Sequence, residues 1–98
     1  MTPSKERTTN RVKPSDRFSR SFKKLDGNVQ RQAKKALRDL ITNPQKRSLN
    51  FEQLQGVDKV YSIRVNDNFR ILLHLLEDKE GKYFLALDIA NHDIYSRM

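Results

Sequence analysis

Apolar residues change their spacing along this chain. In the first half they recur every three or four positions; from about residue 59 onward they alternate with polar residues or run in short blocks. The first spacing predicts helices and the second predicts strands. Phe18, Phe22 and Leu25 form one helical stripe, and Pro14-Ser15 supplies an N-terminal cap for it. Asp26-Gly27-Asn28 breaks that helix and can cap the next. The second helix carries Val29, Ala33, Ala36, Leu37, Leu40 and Ile41 on its apolar face, with Arg31, Lys34, Lys35 and Arg38 opposite. It ends at Asn43-Pro44, because a residue before proline is pushed out of helical geometry.

Residues 45 to 58 read as a connector anchored by Leu49, Phe51 and Leu54. Strands are expected at about 59–66, 69–78 and 82–90, joined by the turn-rich Asn66-Asp67-Asn68 and Asp78-Lys79-Glu80-Gly81. Arg11-Val12-Lys13 is read as a short edge strand. The fold class is therefore α+β: a two-helix hairpin on one face of a small antiparallel sheet, in the order β-α-α-β-β-β. Alternation sends Tyr61, Ile63, Val65, Ile71, Leu73, Leu75, Leu85, Leu87 and Ile89 inward. Ser62, Arg64, Arg70, His74, Ala86 and Asp88 are expected on the uncovered face.

Ninety-eight residues make one small domain, read as 11–98 behind a loose basic segment at 1–10. The absence of cysteine excludes a disulfide framework and a thiolate metal site, and a reducing, cytoplasmic location is the simplest reading. No apolar span is long enough to cross a bilayer, and the first residues lack the apolar middle of a secretion signal. The formal net charge is +8. Residues 1–50 carry fourteen Lys and Arg against four acids, and residues 51–98 carry six against eight, so the excess lies in the first half. A field of this kind concentrates phosphate-bearing partners. Lys34, Lys35, Arg38, Lys46 and Arg47, with Ser62 and His74 on the sheet, are the candidate RNA-binding positions; the alternative is that the lysines only solvate helix faces.

The candidate chemistry lies on the sheet. Two arginines, Arg64 and Arg70, can hold a phosphate through paired hydrogen bonds and stabilise charge that develops on it. His92 can move a proton to or from a ribose hydroxyl or a leaving oxygen. Tyr95 can stack on a base or donate a hydrogen bond. The plainer alternatives are that the arginines pair with Asp88 or Asp67, that His74 is half-buried filler, and that Tyr95 docks on the core edge.

The order of helical hairpin, Asn43-Pro44, Leu54-x-Gly56, Tyr61-x-Ile63-Arg64-Val65, Asn68-Phe69-Arg70-Ile71 and His92-Asp93-Ile94-Tyr95 resembles RelE/ParE-type toxins over about residues 12 to 95. The resemblance implies the toxic half of a bacterial type II toxin–antitoxin pair. For the RelE-like branch it implies a ribosome-dependent mRNA endoribonuclease that needs neither metal nor other cofactor. In that chemistry the 2′-hydroxyl attacks the adjacent phosphate, leaving a 2′,3′-cyclic phosphate and a 5′-hydroxyl. By position, Arg64 and Arg70 are the phosphate-binding pair, His92 the general acid or base, and Tyr95 the group that orients the nucleotide. The resemblance also implies a separate cognate antitoxin, in a heteromeric complex, as partner beside mRNA and the ribosome. The alternatives within and beside the family are a ParE-like DNA gyrase inhibitor and a non-catalytic RNA-binding relative.

Overall fold

The computed structural model describes residues 11–91. Along the chain lie β1 (Val12–Pro14), α1 (Asp16–Lys23), α2 (Gly27–Thr42), a 3-10 turn (Arg47–Leu49), β2 (Glu52–Gln53), β3 (Val60–Arg64), β4 (Phe69–Asp78) and β5 (Gly81–Asn91). Ser15 begins α1 as its composition suggests: its hydroxyl oxygen accepts the Phe18 N–H at 3.0 Å. The same hydroxyl donates to the Leu87 carbonyl at 3.0 Å, and the Ser15 N–H donates to the Ala86 carbonyl, so one residue caps the helix and fastens it to β5. Asp26 caps α2 by accepting the Val29 N–H at 3.1 Å.

Two helices pack on a five-stranded mixed sheet of order β1-β5-β4-β3-β2. The three expected strands form its antiparallel centre. Two further pairings widen it. β1 lies parallel to β5, which the long excursion through α1 and α2 permits. Within the connector, Glu52 and Gln53 pair with Ser62 and Tyr61.

The core joins Phe18 of α1 and Ala33, Ala36 and Leu40 of α2 to Ile63, Ile71, Leu73 and Ile89 of the sheet. Small side chains at Ala33 and Ala36, both buried, let α2 lie close to the strands. The alternation expected along β5 is wrong over part of its length. Phe84 and Ala86 are buried, whereas Leu85 and Leu87 are only half-buried. The cause is a β-bulge: Leu72 pairs with Asp88 but Leu73 pairs with Ala86, leaving Leu87 as the extra residue. One extra residue reverses the inward set on its N-terminal side while Ile89 stays inside.

A carboxylate ties β1 to the far hairpin. Arg11 donates to both oxygens of Asp78, at 2.8 and 3.2 Å, and to the Gly81 carbonyl at 2.7 Å. Lys13 adds a third cationic contact at 3.3 Å. The Arg11 hydrogen bonds hold the Asp78 carboxyl well below the usual carboxylate range and raise Arg11 in turn.

Candidate nucleic-acid interface

The turn between β3 and β4 is built by one side chain. Asn66 accepts the N–H groups of Asn68 and Phe69 on its amide oxygen, at 2.7 and 2.9 Å. Its amide nitrogen donates to Gln32 of α2 at 2.7 Å, so the turn is pinned to the helix. This fixes the strand ends on which Arg64 and Arg70 sit. The two residues are register partners. The Val65 N–H donates to the Phe69 carbonyl and the Leu75 N–H to the Lys59 carbonyl, so the odd-numbered pairs carry the ladder bonds. Arg64 and Arg70 are therefore a non-hydrogen-bonded pair, the kind in which opposed Cα atoms come within about 4.5 Å and side chains lie closest.

Like charges directly opposite one another destabilise a sheet, and each guanidinium here is occupied locally. Arg64 donates to the Asn66 carbonyl and makes a close ion pair with Asp67. Arg70 donates to the Ser62 hydroxyl from two nitrogens, at 2.9 and 3.2 Å, and to the Asn50 carbonyl at 2.8 Å. Asn50 caps the 3-10 turn with a left-handed backbone (φ 45°), a conformation asparagine adopts more readily than most residues. That bend helps present its carbonyl to Arg70.

Ser62 is not displayed on the uncovered face as its alternation suggests. It is buried, with the Arg70 head bonded to it and β2 paired alongside. Asp88 is likewise not beside the arginines. It accepts from Ser21 at 2.7 Å and Arg17 at 3.1 Å, both on α1. The adjoining bulge and the end of β1 at Pro14 leave that stretch of β5 to the helix.

Basic residues of α2 approach the same corner. Lys35, Gln32, Asp39, Ser48, Arg64 and Val65 line a groove of about 200 Å³ between helix and strand. Asp39 sits between Lys46 at 3.0 Å and Lys35 at 3.2 Å. Its carboxyl is lowered, first by the Lys46 hydrogen bond and then by Lys35. Lys35 thus joins Arg64 in one recess, and Lys46 reaches it through Asp39. Lys34 and Arg38 are exposed on α2, the Lys34 ammonium lying 6.0 Å from the Phe22 ring, and Arg47 is exposed in the 3-10 turn. His74 is half-buried on β4, opposite Val60 on one side and Leu85 on the other. His92 and Tyr95 lie outside the described residues, as does the segment 1–10.

Sequence reading missed the supporting groups: Asn50, Gln32 and Asp39. Asn50 carries the one available signal, an asparagine inside a polar connector, the residue type that takes a left-handed backbone more readily than most. The others act through tertiary contacts that no local pattern reveals.

A family model described as the ParE-like toxin domain matches residues 27–97. The chain belongs to the ParE-like toxin family. It is a toxin of the RelE/ParE superfamily of toxin–antitoxin systems. No curated protein matches it. Among solved structures, it is similar to the YoeB/ParE toxin from Agrobacterium tumefaciens, with a TM-score of 0.68 at 12% identity over 84% of this chain and 98% of that one. A mutant of the E. coli toxin RelE in the free state gives a TM-score of 0.65 at 19% identity, covering 88% and 90% of the two chains. The intact E. coli RelBE toxin–antitoxin complex gives 0.64 at 18%, covering 83% and 94%. At such identities the likeness concerns the fold. Among the described residues, no helix of this RelE/ParE-type toxin is long and apolar enough to cross a membrane.

Proposed function

We propose that this toxin is a ribosome-dependent, metal-independent mRNA endoribonuclease. The observation that carries the reading is the opposition of Arg64 and Arg70 across β3 and β4. Two guanidinium groups from adjoining strands suit the equatorial oxygens of a phosphate under attack, where charge increases in the transition state. In the proposed reaction the 2′-hydroxyl loses its proton and its oxygen bonds to phosphorus. The bond from phosphorus to the 5′-oxygen breaks, and that oxygen takes up a proton. The products are a 2′,3′-cyclic phosphate and a 5′-hydroxyl. His92 serves the proton transfers and Tyr95 orients the nucleotide. Lys35, Lys46, Arg38, Lys34 and Arg47 draw the RNA toward the corner, which supports entry into an RNA-rich site such as the ribosome.

A cognate antitoxin is part of the reading, since the RelBE structure joins a toxin to its antitoxin. An acidic antitoxin segment laid over Arg64 and Arg70 neutralises the charge and blocks RNA together.

The ParE-like description of the matched family favours a second reading, a gyrase inhibitor without ribonuclease chemistry. Programmed ribosomes and a supercoiling assay separate the two. New message ends mapped by primer extension, with supercoiling unchanged, support the ribonuclease. Lost supercoiling with intact message reverses the ranking. Ribosome binding without cleavage points to a non-catalytic RNA binder.

A further inference from the structure

The turn between β3 and β4 closes without Asp67. Asn66 accepts the Asn68 and Phe69 N–H groups and donates to Gln32, while the Val65 and Asn66 N–H groups both donate to the Phe69 carbonyl. The Asp67 carboxylate takes no part in these bonds. It makes a close ion pair with Arg64 instead, and the Arg64 Nε donates to the neighbouring Asn66 carbonyl. The Asp67 side chain is 85% exposed and that of Arg64 is 45% exposed. Ion pairs so exposed add little to stability. The pair is therefore easily opened, and its main effect is on where the Arg64 head lies.

The two arginines thus differ in how they can meet a ligand. Arg70 rests on the buried Ser62 hydroxyl and on the Asn50 carbonyl, and a buried acceptor loses its partner at a cost. Arg64 is bonded within the turn, to an exposed anion. A phosphate seated between these register partners can accept from both guanidinium groups, whereas Asp67 bonds Arg64. The carboxylate on the α2 side, Asp39, is already held by Lys46 and Lys35 and is no substitute partner for Arg64.

We infer that Asp67 is a positioning residue that competes with the substrate phosphate for Arg64. Its carboxylate keeps that guanidinium in the turn of the free protein and gives it up when a phosphate is seated between Arg64 and Arg70. The inference rests on the ribonuclease reading for its substrate and adds what limits the hold on it. Removing the carboxylate abolishes the competing pair and the repulsion between two nearby anions, so the site is strengthened. A merely structural contact, once lost, acts in the opposite direction.

The test compares full-length parent, D67N and D58N. Asparagine suits a turn and removes the charge; D58N removes an exposed carboxylate just before the other end of β3 and controls for net charge. Inorganic phosphate is titrated at constant ionic strength while NMR follows the Arg64 and Arg70 Nε–H resonances. The same proteins are assayed for kcat/KM on ribosomes holding a defined message. D67N is expected to bind phosphate about three- to tenfold more tightly and to raise kcat/KM by a similar factor. D58N is expected to stay within about twofold of the parent, and the gain should vanish between R64Q and R64Q/D67N. Phosphate bound by D67N no more tightly than by the parent overturns the inference. An equal gain in D58N, or a gain that persists without Arg64, does the same. If the parent cleaves message and D67N is no faster, the competition falls and the ribonuclease reading stands. If the parent leaves message intact while D67N still gains phosphate affinity, the ribonuclease reading falls and the competition stands.

Discussion

Arg64 and Arg70 are directly opposed across β3 and β4, yet their guanidinium groups are engaged in different directions. One is bonded in the turn to Asp67 and Asn66, and the other to Ser62 and the Asn50 carbonyl. Like charges set opposite one another are unfavourable in a sheet, and here each is offset by its own local acceptors. The two positions should accordingly behave differently on substitution. R64Q removes an exposed ion pair with Asp67 and an exposed hydrogen bond to the Asn66 carbonyl, and its unfolding free energy should stay within about 1 kcal/mol of the parent. R70Q strips the buried Ser62 hydroxyl of its partner and should cost about 1–3 kcal/mol. Both should lower RNA cleavage by roughly a hundredfold or more. Urea unfolding alongside a cleavage assay separates the effects.

The bulge at Leu87 makes a prediction opposite to that of simple alternation. Ala86 is buried against the core, so A86L should overpack it and destabilise by about 1–3 kcal/mol. L85T, at a half-buried position on the other face, should cost less than A86L does. Thermal melts of the two variants decide the inward set directly.

Ser15 joins helix capping to sheet docking, because its hydroxyl accepts from Phe18 and donates to Leu87. S15A should destabilise by about 1–2 kcal/mol. Hydrogen exchange should show the loss as faster exchange at the Phe18 amide.

Acid should loosen the β1 edge. Asp78 binds its proton less readily in the folded chain than in the unfolded one, chiefly because of Arg11. Its contribution is therefore complete above the unfolded aspartate value of about 3.9 and is lost as pH falls through the lower, folded value. Asp39, lowered by Lys46 and Lys35, acts with the same sign. D78N should lower the melting temperature at neutral pH and shrink the loss of stability between pH 5 and strong acid. Melts across that range, compared with the parent, check it.

Much of the architecture was legible because it rests on local chemistry. Ser15 and Asp26 announce helix starts, Asn43-Pro44 announces a stop, and Asn66-Asp67-Asn68 announces a tight turn whose flanking strands carry the arginines. Three features were not legible, for one reason each. β2 consists of two polar residues with no alternation to detect. The β5 bulge adds a residue that breaks the two-residue period in an otherwise apolar run. Ser62 reads as a solvent-facing position, but the Arg70 head and the β2 pairing bury it. That Arg64 and Arg70 share one face of the sheet was legible from the alternation around the turn; their direct opposition comes from the register, and the acceptors that engage them, Asn50 above all, depend on how the connector folds back.

The most direct test of the proposal that Arg64 and Arg70 cleave RNA is a single-turnover assay on ribosomes holding a defined message, with the parent protein, R64Q and R70Q each at saturating concentration. The expected result is message cut by the parent to fragments ending in a 2′,3′-cyclic phosphate, with both variants slowed by roughly a hundredfold or more while still folded. Cleavage at the parental rate by either folded variant, or no cleavage by ribosome-bound parent, contradicts it.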